Sequence, residues 1–162
     1  MCEKYYGKVA NLEANGVVAF NTMFAQDGFI VYVPDNTVIE QPIQLINILM
    51  SNADFLVNRR LLLIAGKNAQ FKMLVCDHTV DNSVFLATQV TEIFADENAH
   101  VDFYELEETS DNSMRVASTF IHEEKSANVL VNNITLNCGF TRNNYYLKLN
   151  GEYSEGNISG VV

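Results

Sequence analysis

Five short segments decide the fold: Thr37-Val38-Ile39-Glu40, Ala69-Gln70-Phe71-Lys72, Ala99-His100-Val101-Asp102, Ala127-Asn128-Val129-Leu130 and Gly156-Asn157-Ile158-Ser159. Each segment begins with a small residue and carries an apolar residue at its third position. The first residues of successive segments are 32, 30, 28 and 29 positions apart. A repeat of this length, with a nearly constant pitch, is typical of a chain that coils and stacks each unit on the one before.

Each unit contains two runs rich in β-forming residues, in which apolar side chains tend to alternate as they do in a strand with one buried face. The paired runs are Leu61 to Ala65 with Gln70 to Val75, Val90 to Ala95 with His100 to Leu106, Val116 to Ile121 with Asn128 to Leu136, and Tyr145 to Leu149 with Asn157 to Val161. Gly, Asn and acidic residues between the runs predict corners, because they tolerate or favour turn conformations. Stacked Asn side chains at these corners are expected to form a hydrogen-bonded ladder.

The fold predicted from these features is all-β, a right-handed parallel β-helix with two strands per turn and a pitch of about 29 residues. A short helix within Glu3 to Phe24 would cap its first turn, and Ser51 to Asp54 and Glu107 to Ser113 would be loops between units. An antiparallel sandwich is the structural alternative, since its turns have a similar spacing.

Composition and net charge exclude several classes of function. The chain has 162 residues, 48% of them hydrophobic, and a net charge of −10, so we expect one domain that binds neither nucleic acid nor anionic membranes. Neither a signal peptide nor a run of about 18 apolar residues is present, which predicts a soluble protein. Three cysteines at unrelated spacings, Cys2, Cys76 and Cys138, favour the cytoplasm over an oxidising compartment.

Two patterns suggest metal ligands, and both have simpler interpretations. Cys76 and His78 would lie on the same side of a strand and could hold a soft metal, but no further ligand pair follows them. We therefore interpret Cys76-Asp77-His78 as a buried cysteine beside an Asp-His pair at the end of a loop. His78, His100 and His122 recur every 22 residues, which does not match the structural pitch, so they are not expected to stack in one column.

Two further patterns suggest surface chemistry. Glu105, Glu107, Glu108 and Asp111 could serve a glycoside hydrolase or a calcium-assisted polysaccharide lyase. We expect them instead to be solvated, because they lie where a strand runs into a polar loop. The segment Thr141-Arg142-Asn143-Asn144 could bind an anion through its arginine, although a corner with stacked asparagines is the more ordinary interpretation.

Several segments together resemble the SufB/SufD family of the SUF iron–sulfur cluster assembly system, and SufD more than SufB. They are Phe20 to Gly28 continuing into Val31-Tyr32-Val33-Pro34, Asn58-Arg59-Arg60, Val75-Cys76-Asp77-His78, Gln89-Val90-Thr91-Glu92, Tyr104 to Glu108, and Thr141-Arg142-Asn143-Asn144. The resemblance runs from about residue 17 to the end of the sequence. It implies a parallel β-helix and a non-enzymatic scaffold that forms a complex with SufB-like and SufC-like proteins.

The resemblance also implies differences from full-length family members. Those members carry helical regions on both sides of the β-helix and, in SufD proteins, a Cys-x-His pair near the carboxyl end. We find no counterpart of that pair, so no catalytic, cofactor-binding or metal residue is assigned, and no cofactor is expected in this chain. Residues 1–162 would form a single SufD-like β-helix core, a fragment that self-associates through its last coil. A carbohydrate-active β-helix enzyme is the alternative function.

Overall fold

A computed structural model, which describes residues 2–10 and 15–162, shows a parallel β-helix of five turns. Two short helices, α1 (Cys2–Tyr5) and α2 (Gly16–Met23), precede the strands. The ten strands are β1 (Asp27–Val33), β2 (Ile43–Leu49), β3 (Phe55–Ala65), β4 (Gln70–Thr79), β5 (Phe85–Ala95), β6 (His100–Glu108), β7 (Ser113–Glu123), β8 (Asn128–Asn137), β9 (Phe140–Leu149) and β10 (Glu155–Val161).

Two parallel sheets form the walls of the coil. The odd-numbered strands form sheet A in the order β1-β3-β5-β7-β9, and the even-numbered strands form sheet B in the order β10-β8-β6-β4-β2. In sheet A the stacked partners Asp27, Arg59, Gln89, Ala117 and Asn143 are 32, 30, 28 and 26 residues apart. The predicted all-β parallel fold, with two strands per turn and a pitch near 29 residues, is confirmed.

The corners between the sheets are held by the predicted asparagine ladder. Asn68 donates a hydrogen bond from Nδ2 to Oδ1 of Asn36 at 2.7 Å, and Asn98 donates one to Asn68 at 3.2 Å. Asn36, Asn68, Asn98 and Ser126 have φ angles of 56° to 58°. Asparagine tolerates this left-handed conformation better than most residues, so one residue type both shapes the corner and links successive turns.

The strands extend further than the apolar alternation predicted. Strand β3 begins at Phe55 rather than Leu61, and β5 begins at Phe85 rather than Val90. Polar residues continue the strands because their backbone groups pair with the neighbouring turn. The predicted loop at Ser51 to Asp54 is confirmed, whereas the loop predicted over Glu107 to Ser113 is shorter, since β6 ends at Glu108 and β7 starts at Ser113.

The fifth repeat was aligned incorrectly from the sequence. Asn128 pairs with Glu155 rather than with Asn157, so Gly156 lies beside Val129 and Ile158 beside Val131. The shift is two residues, which keeps Ile158 on the inward face of its strand. The last turn is therefore shorter than the alignment of small residues suggested.

Helix α2 lies along the outer face of sheet A, which corrects the expectation that it would cap the first turn. Asn15 caps its amino end by accepting a hydrogen bond from the backbone N–H of Val17 at 2.9 Å. Asn21 donates from Nδ2 to the backbone oxygens of Arg59 and Thr88, both at 3.1 Å. Val18 is buried in a small outer cluster with Ala10, Val90 and Phe120. Residues 11–14, within the predicted helical stretch, lie outside the described residues.

A buried carboxylate anchors the segment before α2. Glu92 accepts hydrogen bonds from the backbone N–H groups of Gly7, Val9 and Ala10 at 3.0 to 3.2 Å. It also pairs with Arg60 at 2.7 Å. The amino-terminal segment is thereby fixed against the outer face of sheet A, where it forms one wall of a groove.

Candidate functional site

The interior of the β-helix has an apolar part and a polar part, which lie at different positions along the same strands. Next to the asparagine corners it is filled by what we call the apolar half, which includes Val33, Leu63, Ala65, Phe71, Met73, Ile93, Phe103, Ile121, Val129 and Val131. Further along the same strands lies a set of inward-facing polar side chains, the ionic layer: Arg59, Asp77, Gln89, Glu105, Glu107 and Arg115, bordered by Asn133 and Asn143. The ionic layer is the candidate functional site.

Strand alternation places the ionic layer. Arg59 is two residues before Leu61 and four before Leu63, so all three side chains point into the coil. In sheet B, Asp77 follows Met73 and Val75 with the same parity, and Asp77 stacks against Glu107 in the next turn. The sequence therefore puts charges inside by continuing the inward face of an otherwise apolar strand.

A bidentate ion pair joins the two sheets at the first end of the layer. Arg59 donates from Nη1 to Oδ1 of Asp77 at 2.8 Å and from Nη2 to Oδ2 at 2.6 Å. Asn47 adds a hydrogen bond to the Oδ1 atom of Asp77 at 2.8 Å. Burial favours the protonated acid, but the charges of Arg59 and Arg115 and these hydrogen bonds outweigh it and lower the pKa of Asp77 to about 2.

Arg115 is the centre of the layer and is only 2% exposed. It donates from Nη2 to Oε1 of Glu105 at 2.7 Å and from Nη1 to Oδ1 of Asn143 at 2.8 Å. Its guanidinium also lies 3.5 Å from Asp77 and 3.9 Å from Glu107. Burial opposes the charge of Arg115, but these three carboxyl groups outweigh burial and raise its pKa. Arg115 is therefore a permanent buried cation shared by three acids.

Gln89 connects the two arginines. Its Oε1 atom accepts a hydrogen bond from Arg59 at 3.0 Å, while its Nε2 atom donates to Glu105 at 2.7 Å. Asn133 donates to the other oxygen of Glu105 at 3.4 Å. The charges of three successive turns thus belong to one network, and substitutions within it are not expected to be additive.

Glu107 is the least well paired acid of the layer. Its Oε1 atom is buried without a hydrogen-bond partner among the described residues, and its Oε2 atom is 3.5 Å from the hydroxyl of Thr135. Burial raises the pKa of Glu107 above its ordinary value, although the charge of Arg115 partly opposes this effect. Nε atoms of Arg59 and Arg115 are also buried without a hydrogen bond. Such atoms are the usual partners of internal water.

The layer has little free volume. A cleft of about 60 Å³ beside Arg59, lined also by Asp27, Asn47 and Gln89, lies at the first turn. This volume holds about two water molecules. The arrangement is therefore that of an ion-paired interior that joins facing sheets, with room for water but not for a polymeric substrate.

The predicted acidic surface cluster is wrong for two of its members. Glu105 and Glu107 are 3% and 2% exposed and belong to the ionic layer, whereas Glu108 and Asp111 are exposed. The strand continues through Glu108, so alternation sends Glu105 and Glu107 inward and Glu108 outward. The four carboxyl groups do not form the open cleft that a carbohydrate-active enzyme requires.

The Cys76-Asp77-His78 segment is split between two faces of strand β4. Cys76 is buried on the outer face, as expected, and His78 lies on the same side, 3.1 Å from Glu108. Asp77 lies within β4 and points inward to Arg59, which corrects the interpretation that it belongs to a loop end. Among the residues that the structure describes, no group of three or more His, Cys, Asp or Glu side chains could hold a metal ion.

The remaining patterns resolve in different ways. The three histidines do not stack, as predicted: each contacts a separate acid, with His78 near Glu108, His100 near Asp102 and His122 near Glu124. Thr141 to Asn144 lies within strand β9, which corrects the prediction of a corner.

The alternation of Arg59, Leu61 and Leu63 was a signal for a buried arginine that the sequence reasoning missed. Arg115, which is preceded by an exposed methionine, gave a weaker signal of the same kind.

The fold and the site together define a class: a parallel β-helix whose two sheets are joined inside by ion pairs. Two protein-family models match the chain, and both describe the same family. Residues 48–162 match the family described as "SUF system FeS cluster assembly, SufBD core domain", and residues 1–45 match the "SufBD protein N-terminal region". The chain belongs to the SufB/SufD family of SUF iron–sulfur cluster assembly proteins.

The family matches extend the likeness to residues before 17, where the sequence comparison had not placed it. No curated protein and no solved structure matches the chain significantly. Of the two helices in the described residues, neither is long and apolar enough to cross a membrane.

Proposed function

We propose that this protein is a SufD-type scaffold that pairs with a SufB-like protein and, in the same complex, works with a SufC-like ATPase. The observation that carries the proposal is the match of residues 48–162, strands β3 to β10, to the SufBD core domain. The family assembles iron–sulfur clusters, and several of the segments that together resemble SufD more than SufB, such as Asn58-Arg59-Arg60, lie within these strands.

The rigid interior supports a scaffold role. Ion pairs in the ionic layer join sheet A to sheet B across three turns, through Arg59 to Asp77 and through Arg115 to Glu105. Two carboxylates of the acidic cluster, Glu105 and Glu107, are buried within this layer. We therefore propose that the chain contributes surface and backbone edges to an assembly, and that it performs no catalysis and holds no cluster by itself.

The surface proposed for the partner is the last turn. Strands β9 and β10 pair on one side only within the described part of the chain, so each presents a row of free backbone groups. Ile158 of β10 pairs with Val131, so its side chain points into the coil, and 42% of its surface is exposed at the open end. Strands of a second protein could extend both sheets here and cover this apolar end.

Co-purification with the SufB-like protein tests the proposal. We expect a stable complex with the unchanged chain, and loss of that complex in Ile158→Lys, because an inward-pointing charge at a sheet edge blocks further stacking. Ile46→Lys is the matched control, since Ile46 is similarly exposed but lies on the outer face of β2 at the opposite end. Absence of binding by the unchanged chain, or equal loss in both variants, would contradict the proposed surface.

We also propose that, without a partner, the same edge pairs with a second copy of the chain. Light scattering should then give a mass that rises with concentration for the unchanged chain and stays monomeric for Ile158→Lys. A monomer at high concentration for the unchanged chain would count against self-association while leaving the SufB pairing testable.

A further inference from the structure

A groove of about 610 Å³ lies on the outer face of sheet A, away from the ionic layer, and reaches strand β9 of the last turn. One wall is the amino-terminal segment from Lys4 to Val9, and the floor is formed by residues of β5, β7 and β9, most of them outward-facing. Pockets that bind small molecules commonly measure roughly 300 to 1,000 Å³. The groove is therefore large enough for a compact organic ligand.

The floor of the groove is built from stacked rings. Phe94 and His122 are parallel to within 5°, with centroids 4.9 Å apart, and Phe120 and Tyr146 are parallel to within 6°, with centroids 4.4 Å apart. Tyr5 of the wall meets Phe94 edge-on at 4.9 Å. Parallel strands place these rings in register with their faces against each other, so the floor presents ring edges, against which the face of another planar ring can pack.

The rim of the groove is positively charged on a protein that is otherwise acidic. Lys4, Lys8 and Lys148 line it, which is half of the six lysines in a chain with a net charge of −10. In the described part of the chain, Lys67 and Lys72 form salt bridges, whereas none joins these three lysines to an acid. One carboxylate, Glu124, approaches the floor and is held by His122 at 2.9 Å.

We propose that this groove binds a small planar aromatic anion of the nucleoside monophosphate class. The base would pack on the rings of the floor, and the phosphate would meet the lysines of the rim. Aromatic surface alone would favour any apolar ligand, and lysines alone would favour any anion. Their combination in one groove selects a molecule that carries both features.

Titration of the full chain with AMP, followed by calorimetry at fixed ionic strength, tests the site. We expect saturable binding that is weaker for adenosine and for inorganic phosphate, because each offers half of the recognised chemistry. The double variant Lys8→Ala/Lys148→Ala should weaken AMP binding about tenfold. Lys67→Ala/Lys125→Ala removes the same charge from the corners and should leave AMP binding unchanged.

The histidines provide an internal control for the location. In NMR spectra, the ring protons of His122 should shift during the AMP titration, while those of His78 and His100, which lie on sheet B, should not. The proposal is overturned if millimolar AMP shows no saturable binding, if both lysine pairs weaken binding equally, or if inorganic phosphate binds as tightly as AMP.

Discussion

The apolar half and the ionic layer are built by the same strands, yet they hold the two sheets together by different physics. Phe103 in the apolar half is fully buried among other apolar side chains, and the dispersion and burial that hold it there are not directional. Arg115 in the ionic layer depends on a few oriented partners in a place where water is scarce. The apolar half should tolerate the replacement of one apolar side chain by another of similar size. The ionic layer should not tolerate the loss of a single charged side chain.

The largest effect is expected for Arg115→Met. This change leaves Glu105 and its neighbouring acids buried without their shared cation, which should lower the free energy of unfolding by about 3 to 5 kcal/mol. Urea denaturation measures it. Arg142→Met is the control, because Arg142 is an exposed arginine on β9 and should change stability by less than about 0.5 kcal/mol. Similar values for the two variants would show that the ionic layer does not stabilise the coil.

A pair of nearly isosteric changes compares the two regions directly. Asp77→Asn keeps the shape but leaves the Arg59 guanidinium without its anion, so we expect a cost of about 2 to 3 kcal/mol. Met73→Leu, four residues earlier on the same inward face, should cost less than about 1.5 kcal/mol. Both free energies come from the same urea titration. A greater cost for Met73→Leu would reverse the proposed difference.

Glu123 is a carboxyl group placed inside the apolar half, beside Ala95 and Leu149. Burial, together with the nearby charge of Glu155, raises the pKa of Glu123 from 4.5 to about 7, against a hydrogen bond that lowers it. Because the folded protein holds this proton more tightly, stability is full below the unfolded pKa and is lost as pH rises towards 7. Glu123→Gln should therefore be the more stable protein at about pH 8, by about 2 kcal/mol.

The urea midpoint measured from about pH 5 to about pH 8 checks this prediction. The unchanged chain should lose stability over that interval, and Glu123→Gln should lose less. Asp77 in the ionic layer has the opposite sign: its lowered pKa stabilises the fold above 3.8, and that contribution disappears as pH falls towards 2. Identical pH profiles for the unchanged chain and Glu123→Gln would contradict the burial of an uncompensated acid.

The smallest effect is expected at the corners. Asn68→Gly removes one rung of the ladder but keeps a residue that accepts a positive φ, so it should cost less than about 1 kcal/mol. Asn68→Ala should cost about 1 kcal/mol more, because alanine is strained in that conformation. Thermal unfolding of the two variants distinguishes the contribution of the side-chain hydrogen bond from that of the backbone conformation. Equal melting temperatures would mean that backbone conformation at Asn68 is unimportant.

The fold was predictable from the sequence because stacking repeats the same requirement at each turn. Ala69, Ala99 and Ala127 occupy equivalent positions, and Asn68 and Asn98 recur at the corners for the same reason. The ionic layer was only partly predictable. Alternation could have placed Arg59 inside, but its pairing with Asp77 joins residues from facing sheets, and that distance is set by packing across the coil rather than by any local pattern.

The positions of Glu105 and Glu107 were also only partly predictable from the sequence. The sequence shows these acids as a cluster. Because the apolar pattern predicts that β6 ends at Leu106 rather than at Glu108, it does not predict which of the acids point inward. The pairing of Glu105 with Arg115 depends on a residue in the following strand of the opposite sheet. The acids are therefore recognisable in the sequence, whereas the arginine that pairs with them is not.

Anaerobic reconstitution with iron and sulfide tests the scaffold assignment most directly. The chain alone and the chain mixed with the proposed SufB-like partner would be compared by absorbance spectra and by iron content per chain. We expect a cluster spectrum for the mixture and no stoichiometric cluster on the chain alone. A stoichiometric cluster on the isolated chain would contradict the proposal that it holds no cluster by itself.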